Sequence, residues 1–270
     1  MLVREPAVAG TFYPDDPLVL QQQVEHFLMS AKAETTNTDI IPKALIVPHA
    51  GYVYSGSIAA SAYQLLAPLA HKLSNVILLG PSHHVPLKGL AAPTSSFFRT
   101  PLGNIPIDRN SIDILVKQSL VMEDNLPHQF EHSLEVQLPF LQTVLNEFSV
   151  LPLVVGDASS DQVTEVLRCV WGNLQTKDDE TLIVVSSDLS HYHSYQEAQH
   201  IDRHTTAMID ALDGHITGSQ ACGCTAINGL LKLANNEGMS VETLDLRTSG
   251  DVPEIGNKDR VVGYGSYAIY

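Results

Sequence analysis

Four apolar runs, ALIVP, NVILLG, VLPLVVG and TLIVVSS, constrain this chain more than anything else in it. A strand with one wet face alternates apolar and polar residues, whereas an unbroken apolar run reads as a central strand covered on both faces. Between the runs lie segments of helical period: GSIAASAYQLLAPL, RNSIDILVKQSL, HSLEVQLPFLQTVL and SSDQVTEVLRCVWGNL. Strand and helix in alternation predict an α/β fold with a largely parallel central sheet flanked by helices.

Pro139 falls inside the third helical segment, where it is expected to kink or interrupt the helix. From Val85 to Asp108 the prolines and glycines (Pro86, Gly89, Pro93, Pro101, Gly103, Pro106) read as a loop or short antiparallel ribbon. Further on, helices are expected from about Tyr195 to Leu212 and from Thr225 to Asn235. Two alternating strands, SVETLDLRTS and RVVGYGSYAIY, follow; their polar content suggests antiparallel strands near an edge, joined by the flexible turn SGDVPEIGNKD. No repeat, low-complexity tract or linker divides the chain, so residues 1–270 read as one domain.

The formal net charge is −15 with no basic run, which removes the phosphate-neutralising cations that nucleic-acid binding needs. The amino terminus lacks a charged-then-apolar leader, and no apolar run approaches the ~18 residues of a membrane span. A cytoplasmic protein with no nucleic-acid or membrane partner is the expectation. The three cysteines, Cys169, Cys222 and Cys224, make a poor disulfide framework and are expected to be reduced.

Three of the apolar runs end in histidine or aspartate: LIVPHAGY with His49, VILLGPSHH with His83 and His84, and LIVVSSDLSHYH with Asp188, His191 and His193. The carboxyl ends of strands in an open α/β sheet face one crevice, so these groups are expected to meet in a metal or acid/base site. His83 and His84 are adjacent, so on an extended chain only one is expected to enter the crevice. Asp188 beside His191 could fix an imidazole tautomer, as a general base or a metal ligand requires. In QFEHSLE, taken as the opening of a helix, Glu131 and Glu135 share a face; this suits a solvated acidic first turn, and His132 and Glu135 are also candidates for a layer around the site. Cys222 and Cys224 precede a helix whose dipole would stabilise a thiolate, which is a soft metal ligand.

REPAVAGTFYP, PHAGYVYSG, LGPSHH, FRTPLG, EHSLEVQLPF, SSDLSH and GYGSYAIY, in this order and spanning nearly the whole chain, resemble the Memo family, called AmmeMemoRadiSam system protein B in prokaryotes. That family is similar in fold to class III extradiol ring-cleaving dioxygenases, which hold a non-haem Fe(II) through two histidines and a glutamate. The resemblance implies that His49 and His83 are metal ligands, that His191 is the acid/base histidine, and that Cys222 stands where the third ligand falls. A thiolate in place of a carboxylate is softer, so ring cleavage does not follow from the fold.

The catalytic candidates are therefore His191, Asp188 and His132; the metal candidates are His49, His83 and Cys222. His84, His193, Glu135 and Tyr52 are placed around them. Fe(II) is the expected metal, with zinc or copper as alternatives, and redox or oxygen-dependent chemistry on a small substrate is the expected activity. The competing readings are a zinc-dependent hydrolase and a binding or adaptor protein with a vestigial crevice. Eukaryotic Memo proteins are similar to redox-linked and phosphotyrosine-peptide-binding proteins, so protein partners, and a homo-oligomer paired through edge strands, belong to the same set of expectations.

Overall fold

The computed structural model describes residues 2–31, 42–174, 181–253 and 255–270. The four apolar runs form neighbouring parallel strands in the spatial order Ala44–Val47, Thr181–Ser186, Asn75–Pro81, Ser149–Val155. Nearly every residue in them is buried, which explains the missing alternation. Burying a Val, Leu or Ile side chain stabilises by roughly 1.5–3 kcal/mol, so these strands anchor the core.

Antiparallel strands extend this parallel centre on both sides. Val261–Ile269 pairs with Ala44–Val47, and Leu90–Ala92 pairs with Ser149–Val155. The proline-rich stretch supplies Leu90–Ala92 to the main sheet and forms a separate hairpin, Phe97–Thr100 with Gly103–Pro106, against which Val3–Arg4 lies parallel. Helices Cys224–Asn236 and Ser160–Leu174 pack on each other, the former also against Asn75–Pro81 and Thr181–Ser186. Helix Tyr52–Tyr63 packs on Ala44–Val47 and Val261–Ile269, beneath helices Pro17–Ser30 and Leu138–Val144.

The last two strands are antiparallel and near an edge, as expected: Val241–Thr248 forms the margin, and Val261–Ile269 lies one strand in, with Ala44–Val47 and His191–His193 on its other side. Polar residues of Val261–Ile269 also serve close packing, as where the Tyr267 hydroxyl meets Thr206 Oγ1 at 2.8 Å inside the protein. One expectation is corrected here: Pro139 does not interrupt a helix. The chain runs through a short helix, Leu126–Gln129, a 3₁₀ turn, Glu135–Gln137, and then helix Leu138–Val144, in which Pro139 occupies the first turn where no amide is missed. Within the turn SGDVPEIGNKD, residues 249–251 are 3₁₀ and position 254 lies outside the described residues.

Gly263 shows how the sheet margin sets the site. A Cβ there would clash with the Asp202 carboxylate. Gly263 exchanges backbone hydrogen bonds with Leu189 and Ser190, and Asp202 Oδ1 accepts from the Ser190 amide at 3.0 Å. Gly263→Ala is therefore expected to destabilise by about 1–3 kcal/mol through overpacking, read as a lower denaturant midpoint. An unchanged midpoint would mean that Asp202 yields without cost.

Candidate metal centre

His49 follows Pro48 at the end of Ala44–Val47, and His83 follows Pro81-Ser82 at the end of Asn75–Pro81. Thr181–Ser186 runs between these strands, and Cys222 stands two residues before helix Cys224–Asn236. One ligand atom from each of His49, His83 and Cys222 lies within 4.8 Å of the others. Cys222 Sγ is 3.3 Å from His49 Nε2, and the His49 and His83 rings stand edge-on at 5.1 Å. His84 is exposed and joins no such group, and Cys224 packs against the core.

Hydrogen bonds fix which ring nitrogen of His49 is free. The Pro48 carbonyl can only accept, so the Gln137 amide must present its NH₂ there (2.9 Å) and to Ser186 Oγ (2.8 Å). Tyr63 OH donates to the other end of that amide at 2.9 Å. Ser186 gives its single proton to the Ser133 carbonyl at 2.6 Å, so it can only accept from His49 Nδ1, 3.0 Å away. His49 is thus protonated at Nδ1, and its Nε2 lone pair faces Cys222. Burial first, and the His83 charge next, hold its pKa well below the usual value.

Glu131 plays the same part for His83. Its carboxylate accepts from His83 Nδ1 at 2.9 Å and from the amides of His83, His132 and Ser133 at 2.6, 3.0 and 2.9 Å. Burial opposes its ionisation, but the bonds and charge of His83 with these amides win and bring its pKa down to about 2. A carboxylate behind a ligating histidine orients the ring and raises its basicity. Gly80 makes room for this loop, because a Cβ there would meet Ser133 Oγ at 2.6 Å. His132 stacks on His83 with centroids 4.6 Å apart and stands perpendicular to His49 at 5.3 Å. Burial pushes its pKa down to about 4. The His84 ring stands edge-on to His132 at 6.0 Å.

His191 donates from Nδ1 to the Leu189 carbonyl at 2.8 Å, which leaves Nε2 free; burial lowers its pKa, and the charge of His83 adds to the shift. The strand His191–His193 carries a bulge at Tyr192, whose φ of 63° is unusual for a bulky residue. Tyr192 is thereby thrown outward under the Arg260 guanidinium, 4.6 Å from its ring centroid.

Several candidates do other work than the sequence suggested. Asp188 does not hold the His191 ring. Its Oδ1 accepts from the His49 amide at 2.7 Å and its carboxylate also binds the Ala50 amide, so it shapes the turn at His49, while burial pushes its pKa up to about 7. His193 pairs with Glu197 at 3.1 Å, half-exposed. Tyr52 donates to the Val136 carbonyl at 2.6 Å and packs with Tyr13, Phe27 and Phe140. Glu135 ties down the amino-terminal segment through Arg4, Tyr13 and the amides of Ala7 and Val8. The helix dipole does not govern Cys222; burial, then the Asp188 charge, pushes the thiol up to about 12.

Sequence reasoning missed Glu131, Ser186 and Gln137 as partners of the ligand candidates. Ser186 closes an apolar run and Gln137 interrupts another, which marks buried polar groups but not what they bind. Glu131→Gln is expected to weaken metal binding 10–100-fold, the usual effect of losing such a partner. A competition titration would measure it, and an unchanged affinity would remove Glu131 from the centre.

An α/β sheet with a His, His, Cys cluster at its strand ends defines a class of metal-binding candidate, not one activity. The chain matches the model of the Memo-like protein family over residues 4–268 and belongs to that family. It is 36% identical to a MEMO1 family protein of Methanopyrus kandleri, covering 97% of each chain. It is 33% identical to one of Methanobrevibacter smithii over 98% of this chain and 99% of that one. An uncharacterized Escherichia coli K12 protein of known crystal structure overlaps 83% of this chain and 99% of its own, at TM-score 0.49 and 12% identity. Among the described residues no helix is long and apolar enough to cross a membrane.

Proposed function

We propose that the chain holds one metal ion through His49, His83 and Cys222 and uses it in redox or oxygen-dependent chemistry on a small substrate, with Fe(II) as the working metal. The observation that carries this reading is the converging donor set, in which Ser186 and Glu131 engage the Nδ1 atoms of His49 and His83 and leave their Nε2 atoms as the ligand positions. Two imidazoles and a thiolate suit iron, zinc or copper(I), and iron would supply electron transfer at the site. Around it, Asp188 fixes the His49 turn and His132 walls the histidine pair. His191, with Nε2 free and its pKa lowered by burial, would take a proton from a bound substrate and return it.

Elemental analysis of protein purified without oxygen and without a metal-affinity tag tests the reading. About one iron per chain supports it. Stoichiometric zinc would replace redox chemistry by hydrolysis, in which zinc lowers the pKa of bound water to about 7. Protein that takes up no metal on titration would overturn it in favour of a binding protein.

A further inference from the structure

A cleft of about 310 Å³ opens beside Cys222, one strand further along the sheet, where Asn75–Pro81 neighbours Ser149–Val155. Val85, Leu87, Val155 and Ala226 give it an aliphatic lining; Asp157 is its single charged residue, and no Lys, Arg or His lines it. The backbone of Asp157 is fixed, its amide donating to the Leu87 carbonyl at 2.7 Å and its carbonyl accepting from Gly89 at 2.9 Å. Its exposed carboxylate has no ion-pair or hydrogen-bond partner among the described residues, and the exposed Lys88, opposite it in an isolated backbone bridge, makes no ion pair with it. The volume is at the small end of ligand pockets, equal to about ten waters at roughly 30 Å³ each. The chain's net charge of −15 also draws cations toward such a cleft and repels anions.

We propose that this cleft receives the body of the substrate, a compact apolar molecule of about ten non-hydrogen atoms that carries a protonated amine. The amine pairs with Asp157, the apolar body lies against Val85, Leu87 and Val155, and the other end reaches the cluster that shares Cys222. The proposal rests on the metal reading above and adds to it the chemical class of the substrate.

Three catechols test it, since a catechol chelates a metal ion and its tail then samples the cleft: dopamine, its neutral counterpart 4-propylcatechol, and anionic 3,4-dihydroxyphenylacetate. Their affinities are measured by calorimetry without oxygen on iron-loaded full-length protein, with metal content read on every sample. Dopamine is expected to bind about three- to fivefold more tightly than 4-propylcatechol, the range of a solvent-screened ion pair, and 3,4-dihydroxyphenylacetate more weakly than either. Asp157→Asn, an exposed change that leaves the fold intact, is expected to abolish the difference between the first two, and Val85→Trp to weaken all three by filling the cleft. Equal affinities, tighter binding of the anion, no binding to metal-loaded protein, or an Asp157→Asn variant that keeps the preference would each overturn the cleft assignment alone. Failure to load metal would instead defeat the reading on which it rests.

Discussion

His49→Ala is expected to lower metal affinity by more than about 100-fold while leaving a folded protein, because it removes a ligand and not merely the group that orients one. The ring is 2% exposed and its Nδ1 binds Ser186, which keeps its bonds to Ser133 and Gln137 when the ring is gone. Ser186→Ala should fall between the variant and the wild type: the His49 ring survives but loses the acceptor that fixes its tautomer. His193→Ala and His84→Ala should bind metal as the wild type does, since neither side chain belongs to the cluster. Metal per chain after exhaustive dialysis, measured beside circular dichroism for folding, reads all four. Stoichiometric metal retained by His49→Ala would refute the centre, whichever metal is bound.

Much of the architecture was legible because burial on both faces of a strand erases alternation, and the four runs that lacked it are the neighbouring parallel strands at the centre of the main sheet. The convergence of His49, His83 and Cys222 was legible in part: strand ends share a crevice, but only the resemblance singled out these three. The rest depends on direction, which spacing does not encode. Glu131 in a turn has the same sequence appearance whether it meets water or a histidine, and the loop between Gln129 and Glu135 is not helical, so the shared helix face never forms. Asp188 lies three residues before His191 yet points back to the His49 amide. The polar content of Val261–Ile269 marked it as near an edge, and it lies one strand in from Val241–Thr248; what that content did not show is the close packing that Gly263, Gly265, Ser266 and Tyr267 permit under helix Tyr195–Asp210.

Glu135→Ala is expected to destabilise the protein by about 3–5 kcal/mol, the cost of leaving a buried charge without its partner. Glu135 is 0% exposed and Arg4 6%. The carboxylate pairs with the Arg4 guanidinium and accepts from Ala7 N at 2.8 Å, Val8 N at 3.0 Å and Tyr13 OH at 2.6 Å. Removing it strands a guanidinium, a phenol and two amides at once. Arg4 also donates to the carbonyls of His128 and Glu131, at 3.0 and 2.6 Å, so the disturbance reaches the residue that orients His83. The released segment carries Phe12, whose ring lies 4.7 Å from His132 and whose carbonyl accepts the Tyr52 amide. Metal affinity should therefore fall as well, though less than in His49→Ala, which separates a wall of the site from a ligand. In a denaturant titration the double variant Arg4→Met with Glu135→Leu should recover part of the loss, because an apolar pair has no charge left to strand. A loss below about 1 kcal/mol in Glu135→Ala would place this junction with ordinary surface ion pairs and remove the link between the amino-terminal segment and the metal centre.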